Sequence, residues 1–511
     1  MQLASRHAAT LLVSTFIIAV CGLTYELIVG TLSSYLFGNS VVHFSLTIGL
    51  FMSAMGLGSF ASRWITRSVL GWFILLQMAI GLIGGCSAAL LYAVFATSEF
   101  YYLAMVLLIV LVGSLIGLEI PLLTRLSGGW KSLKDTLANI LAFDYLGALL
   151  GSILFPLVLL PKLGLLKTSF ATGLLNLAIA ALNLWSFRER LVHWRRMAVM
   201  AGAVALVLVA GGVWAVRLTS LFEEQLYEDE IIYTRQTPYQ RIVLTRWGDD
   251  VRLYLDGNLQ FSAWDEHRYH ESLTHPAMSL TRSRESVLVL GGGDGPAARE
   301  ILKYDDVRRL VLVDIDPAMT ELARTHPALL AINERSLLDP RLELVHQDAF
   351  KYLEETAEQF GVIIIDLPDP NNESLGKLYT REFYKMVRRH LAAGGVMASQ
   401  ATSPYFAREA FWCIVHTAAD AGLQTWPYHV YVPSFGDWGF FLAAEHSLEP
   451  ALTAPAGFAV RLEVPTRYLN ADLLAASFIF DNDIAEVETE INTLDSQVVL
   501  SYYEKGWKRW R

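Results

Sequence analysis

The stretch Val287–Gly295 reads VLVLGGGDG, a short apolar β run that stops in three glycines, an aspartate and a fourth glycine. A strand ending this way turns tightly into a following helix and lets a ligand lie against bare backbone, as nucleotide-type cofactors do at the edge of a parallel sheet. Gly291, Gly293 and Gly295 are therefore candidate cofactor-binding residues. Asp294 sets the loop apart, because a carboxylate here repels a cofactor that brings its own carboxylate and welcomes an amine.

Downstream, strand and helix patterns alternate. After the glycine loop come helix AAREILKY, strand RLVLVDID, helix PAMTELARTH, strand LELVHQDA, helix KYLEETAE, strand GVIIIDLPD, helix TREFYKMVRRH and strand GVMASQAT. This predicts a doubly wound, Rossmann-like parallel sheet of the methyltransferase type, with ligands beyond the carboxyl ends of the strands. Asp314 closes the second strand, where an acid accepts hydrogen bonds from ribose hydroxyls; Asp316 suits a helix N-cap better. Asp348 closes the third strand ahead of Ala349, a place that also fits an ordinary turn acid. The fourth strand ends in DLPDP, which holds Asp366 and Asp369 in a loop that its prolines keep from continuing as strand or helix. No His or Cys stands near enough in sequence to complete a metal set with them, so no metal is expected.

Composition bounds the rest. At 511 residues, 53% hydrophobic and with mean hydropathy +0.38, the chain is too long for one domain and too apolar for an ordinary soluble protein. The excess lies in residues 8–217, where seven segments reach the length of a span: 8–30, 41–61, 69–96, 100–124, 138–160, 164–187 and 197–217. A multi-pass protein of the cell membrane is expected, with lipid as a partner and the N-terminal run retained rather than cleaved. Arg and Lys gather in alternate loops and place the N-terminus in the cytoplasm. Seven spans then carry the second half outside, which conflicts with a cofactor made in the cytoplasm. Glu26, Glu119 and Asp144 lie within the spans; an acid in lipid is costly enough to read as a site, here for a cationic amine, beside the plainer reading of hydrogen bonding within the bundle. A net charge of -10 with no basic cluster on the second half argues against nucleic acid. Cys21, Cys86 and Cys413 are widely spaced and imply no disulfide framework.

Residues 218–280 form a linker and then alternating runs broken by WGDD and DGN, which read as β-hairpins. Here the motifs fall in one order: TPYQ, LDGNLQ, DEHRYHE, GGGDG, VDID, QDA and DLPDP. Over residues 227–445 the chain resembles the spermidine synthase family of polyamine aminopropyltransferases, and the apolar first half resembles its membrane-bound branch. The resemblance implies transfer of an aminopropyl group from decarboxylated S-adenosylmethionine, a co-substrate rather than a tightly bound cofactor, to a diamine such as putrescine. It implies Asp366 as catalytic base and Asp294, Asp369, Gln240, Gln260, Tyr269 and His270 as substrate-binding residues. Asp314 would hold the ribose, Asp348 and the Ala349 amide the adenine, and the protein would be a homo-dimer or tetramer. Departures lie at Leu367 and Pro368 between the two acids, at NNESLGK after them, and at Phe435, where soluble synthases commonly place a tyrosine.

The expected domains are thus 1–217 in the membrane, 218–280, 281–445 as the catalytic sheet, and a C-terminal extension 446–511. That extension ends in GWKRWR, suited to docking on the sheet, on a partner or at the membrane surface. Two other functions fit parts of the pattern: an S-adenosylmethionine-dependent methyltransferase, and a polyamine sensor or transporter with a regulatory nucleoside-binding domain.

Overall fold

The computed structural model describes residues 2–37, 40–98, 100–127, 133–227, 229–448 and 462–510. Lys131, residues 449–461 of the expected extension and Arg511 of its tail lie outside them. The chain forms two compact units, Met1–Glu230 and Ile231–Arg511.

The first unit is helical. Among the described residues, six helices are long and apolar enough to cross a membrane: His7–Leu36, Val42–Trp64, Val69–Phe95, Tyr101–Ser127, Lys134–Ser186 and Trp194–Ala215. Seven segments were expected; the fifth and sixth run together in the 53-residue helix Lys134–Ser186. At 1.5 Å per residue it would stretch about 80 Å, far beyond the roughly 30 Å of bilayer hydrocarbon. It does not stay straight. Gly164 takes the non-helical conformation φ 71°, ψ 176°, and the two halves pack on the N-terminal helix in opposite senses. Gly147 meets Phe16 and Gly151 meets Val20, a parallel pairing. On the other half, Thr172 lies against Cys21 and Asn183 against Ser14, an antiparallel one. The single long helix therefore makes two passes along the bundle. Glycines let the helices close: a Cβ at Gly117 would stand 2.0 Å from the Met55 carbonyl oxygen, the small-residue packing that lipid-embedded helices use.

The second unit opens with a four-stranded sheet of order β1-β2-β3-β4, with β1 Glu230–Gln236, β2 Arg241–Trp247, β3 Asp250–Leu255 and β4 Asn258–Ser262. The expected hairpin at DGN is present: Leu255 pairs with Asn258, and Asp256 (φ 48°) and Gly257 (φ 79°) both take the left-handed conformation of a two-residue hairpin turn.

Seven strands make the main sheet: β5 Ser286–Gly291, β6 Arg309–Asp314, β7 Leu342–His346, β8 Phe360–Asp366, β9 Leu391–Gln400, β10 Gln424–Val432 and β11 Gly436–Ala444. Their order is β10-β11-β9-β8-β5-β6-β7. Strands β5 to β9 pair in parallel, as expected. The sheet is nevertheless mixed, since β11 inserts antiparallel between β9 and β10; the short link between β10 and β11 allows only a hairpin. Apolar runs in β5, β6 and β8 alternate between two cores. Val287, Val289, Leu310 and Leu312 face one, and Leu288, Leu290, Val311 and Val313 face the other, the pattern of a sheet covered on both sides. Strand order reverses between β5 and β8, and the carboxyl ends of these two strands flank the crevice where ligands bind in such sheets.

The C-terminal extension wraps this unit. Glu271, fully buried on the helix Glu266–Leu280, accepts hydrogen bonds from the backbone N–H groups of Arg467, Tyr468 and Leu469 at 2.6, 2.9 and 2.9 Å. Trp507 of the tail lies tilted against Phe406 and Trp510 meets the same ring edge-on, so the tail docks on the catalytic unit's own loops. Replacing Glu271 by alanine leaves three N–H groups without their acceptor, at a cost on the order of 2–4 kcal/mol. Limited proteolysis of the full chain should then cut faster within residues 462–478; cleavage at the wild-type rate would contradict this anchoring.

Candidate active site

Two acids meet at the β5/β8 reversal. Gly291 pairs with Asp366 across the two strands, and Gly292 N–H donates to the Asp366 carbonyl at 3.0 Å. Close approach requires glycine here: a Cβ on Gly291 would lie 2.0 Å from that carbonyl oxygen, and one on Gly293 2.3 Å from Asp314 Oδ2. The loop is held from behind by Asn333 Nδ2, which donates to the Asp294 carbonyl, and by Ser336 Oγ, which donates to that of Gly295.

Asp294, Asp366 and His270 each present an atom within 4.8 Å of the others. A histidine thus does stand beside the acids, contrary to the expectation that none is near enough to complete a metal set; it comes from a helix nearly a hundred residues upstream, a proximity that sequence spacing does not reveal. Its chemistry points elsewhere than to a metal. His270 Nδ1 lies 2.8 Å from Glu266 Oε2, and Glu266 is in turn gripped by Arg299 through Nη1 and Nη2 at 2.8 and 3.0 Å. Burial lowers the affinity of this imidazole for its proton, but the Glu266 hydrogen bond and the charges of Glu266, Asp366 and Asp294 outweigh it and raise the pKa to about 9. The ring is an imidazolium at neutral pH, a cation facing two carboxylates.

One cation does not neutralise the cluster. Burial pushes Asp294 up to about 7, with His270 opposing and Asp366 and Asp314 adding to the rise. Its Oδ1 is buried with no hydrogen-bond partner among the described residues. Burial also raises Asp366, against the pull of His270 and of Tyr269, whose hydroxyl donates to Oδ1 at 2.8 Å. Asp314, at about 6 through burial, accepts from Gly293 N–H at 3.1 Å and Asp316 N–H at 2.8 Å.

Asp369 sits three residues on, also raised by burial to about 6, and accepts from Thr402 Oγ1 at 3.0 Å. The intervening loop is pinned by residues that sequence reading missed. Tyr379 Oη donates to the Pro368 carbonyl at 2.9 Å, and Gln400 Nε2 to that of Leu367 at 2.7 Å. Thr402 itself has φ 62°, strained for a β-branched residue and of a kind that gathers at functional sites. Gln400 closes β9 and Thr402 follows it by two residues, so their place at the carboxyl edge was the available signal; Tyr379, and Tyr503 of the tail, which also hydrogen-bonds toward Asp369, carried none.

The remaining expected residues are dispersed. Gln240 Nε2 donates to Asp316 Oδ2 at 3.0 Å, tying the β1–β2 turn to the end of β6. Asp316 also caps the next helix through Ala318 N–H, as read from sequence. Gln260 donates to Asn258 within its own strand, and among the described residues no hydrogen bond joins it to the acids. Asp348 caps the helix begun by the buried Ala349, accepting from Phe350 N–H, and pairs with Lys377 Nζ at 2.6 Å. Phe435 stands 6.0 Å edge-on from Tyr269, its loop fastened by Asp265, which accepts from Ser434 N–H and Oγ.

Residues 266–452 match the Spermine/spermidine synthase domain family. The whole chain is similar to Polyamine aminopropyltransferase 1 of Ralstonia nicotianae, 46% identical over 99% of this chain and 97% of that one. The chain belongs to the polyamine aminopropyltransferase family. Similar family members include that of Leptospira interrogans, 43% identical over 98% and 99% of the two chains, and that of Mycobacterium tuberculosis, 41% identical over 98% and 97%. Among solved structures, a spermidine synthase in complex with the transition state analogue AdoDATO is 29% identical, covering 50% of this chain and 86% of that one at a TM-score of 0.45. The aminopropyltransferase relatives align along both units, helical and catalytic.

The raised acids carry a consequence for stability. A carboxyl whose folded pKa exceeds its unfolded value contributes stability below the unfolded pKa of about 4, and loses it as pH rises through the folded one. For Asp294 that window runs from about 4 to about 7. Asp294→Asn should therefore raise the thermal unfolding temperature of the ligand-free protein by a few degrees at pH 8 and by much less at pH 5. A lower temperature at pH 8 would show the carboxylate to be already compensated.

Proposed function

We propose that the chain transfers an aminopropyl group from decarboxylated S-adenosylmethionine to a diamine such as putrescine, yielding a longer polyamine and methylthioadenosine. The observation that carries this reading is the half-buried, under-compensated acid cluster of Asp294 and Asp366 beside one buried imidazolium, with Asp369 three residues on, in a chain of this family. A site with excess negative charge takes cationic reactants, and both reactants here are cations.

The donor lies along the carboxyl edge, its ribose at Asp314 and its adenine toward Asp348 and Ala349, against the Gly291–Gly295 loop. Its ammonium goes to the unpartnered Oδ1 of Asp294, where an ordinary S-adenosylmethionine carboxylate would be repelled. The acceptor enters from the side of Asp369, its methylenes against Tyr269 and Phe435. Phe435 offers an apolar face without a hydroxyl, which suits the methylene chain rather than a second polar end.

Chemistry follows from Asp366. An alkylammonium has a pKa of about 10.4 and must lose a proton before it can attack. Tyr269 occupies Oδ1 of Asp366 and leaves Oδ2 for the amine, while burial makes this carboxylate a stronger base than one in water. The amine nitrogen bonds to the propyl carbon next to sulfur, the carbon–sulfur pair departs with sulfur and neutralises the sulfonium, and the amine proton passes to Asp366. Positioning supplies much of the rate. His270 opposes the effect of burial on Asp294 and Asp366 and, being locked by Glu266 and Arg299, fixes one wall of the site. The location we propose is the cell membrane, through the apolar helices of the first unit, with a homo-oligomer formed through the second.

Asp366→Asn keeps the shape of the site and removes its base. Product formation should fall about 10²–10⁴-fold, with donor binding by titration within a few-fold of wild type. Turnover at the wild-type rate would end the reading of Asp366 as base.

A further inference from the structure

The helical unit holds a charged group that aminopropyl transfer does not use. Glu119, on the helix Tyr101–Ser127, is 1% exposed, and neither carboxylate oxygen has a hydrogen-bond partner among the described residues. Tyr25, also 1% exposed, leaves its hydroxyl equally bare. The two side chains lie within electrostatic reach of each other, and Asp144 from the next helix acts on Glu119. The Tyr25 ring lies against Gly84, where an added Cβ would stand 2.6 to 2.8 Å from ring carbons. The helices that carry Tyr25 and Asp144 thus bring both side chains within electrostatic reach of Glu119.

Polar side chains lead away from Gly84. Ser87 and Ser169 donate to the Gly84 carbonyl at 2.6 and 3.0 Å. One to two turns earlier on the same helix, Asn176 Nδ2 donates to the Gln77 carbonyl at 2.9 Å, and Asn183 Nδ2 to Gln77 Oε1 at 3.3 Å. Both asparagines spend their donors this way, and the Oδ1 of each is buried without a partner. The spare atoms at this end are mixed, two amide oxygens and the Nε2 of Gln77, a buried donor also without a partner among the described residues; only at Glu119 are they acceptors alone.

A carboxylate bare of partners inside an apolar bundle costs several kcal/mol and is retained where it serves a ligand or a proton. We propose that the helical unit binds an alkylammonium chain of the diamine or polyamine class. One ammonium is held by Glu119 beside Tyr25. The choice of amine rests on the aminopropyl-transfer reading, since the second unit then consumes and releases this class of cation. The geometry assigns to the first unit a site for the substrate or product of the second.

The test uses full-length protein in lipid nanodiscs carrying Asp366→Asn and Asp369→Asn, which weaken amine binding at the catalytic unit. Radiolabelled spermidine should still bind at about one equivalent per chain, and adding Glu119→Gln should weaken that binding at least tenfold; Tyr25→Phe, which keeps the ring, should weaken it less. No binding before Glu119→Gln is added would mean that the carboxyl holds only a proton, and unchanged binding after it would mean that the amine sits elsewhere; either overturns the proposal. If Glu119→Gln fails to fold, Asp144→Asn must produce the weakening, and its failure to do so is equally decisive. Aminopropyl transfer by Glu119→Gln alone should stay within about twofold of wild type. Absence of transfer in the wild-type protein would overturn the catalytic reading while leaving amine binding by the helices standing.

Discussion

Everything in the catalytic unit is arranged around negative charge buried without enough positive charge to balance it. Three acids stand at or beyond the carboxyl ends of β5, β6 and β8, with a fourth in the loop that follows β8, and one imidazolium faces them. Burial raises all of them, Asp294 to about 7 and Asp314 and Asp369 to about 6. A free protein has no reason to hold such a cluster, because each uncompensated carboxylate weakens folding. The arrangement makes sense when cations arrive from outside and supply what the fold withholds.

The scaffold keeps that tension in place by over-determining its neighbours. His270 cannot turn away, since Glu266 holds its ring and Arg299 holds Glu266 while also bonding Glu300 at 2.8 Å. Glu300 in turn reaches His275 at 2.9 Å, so the helix bearing Tyr269 and His270 is bolted to the helix Pro296–Leu302 that follows the glycine loop. The loop between Asp366 and Asp369 is fixed through the Leu367 and Pro368 carbonyls, by Gln400 and Tyr379, while one carboxylate oxygen of each acid takes a hydroxyl, Asp366 Oδ1 that of Tyr269 and Asp369 Oδ2 that of Thr402. Geometry is thus fixed before substrate arrives, the preorganisation that catalysis by electrostatics requires.

The fold was legible in sequence where a local rule decides it. Apolar runs ending in glycine or acid gave β5, β6 and β8, and the acids at their ends stand where the strand ends put them. The DGN turn gave its hairpin. What stayed hidden was set by contacts between distant residues. His270 reaches the acids across nearly a hundred residues, and Tyr379, Thr402 and Tyr503 arrive from segments with no marked composition. Arg299 reads as one more helical arginine until its ion pair with Glu266 is seen. The antiparallel strand β11 belongs to the same class, because strand order is a property of the sheet and not of any strand. In the helical unit the apolar segments were plain, but that Lys134–Ser186 is one helix folded back at Gly164 follows from which residues its halves touch.

Similarity to polyamine aminopropyltransferases runs along the helical unit as well as the catalytic one. The central claim is that Asp294 sorts donors by charge, and it is tested most directly by titrating wild-type protein and Asp294→Asn with decarboxylated and with ordinary S-adenosylmethionine. The account predicts that wild type prefers the decarboxylated form by about a hundredfold, equivalent to about 3 kcal/mol, and that Asp294→Asn loses most of that preference by binding the decarboxylated form more weakly. Equal affinity of the wild type for both, or a preference left intact in Asp294→Asn, would contradict it.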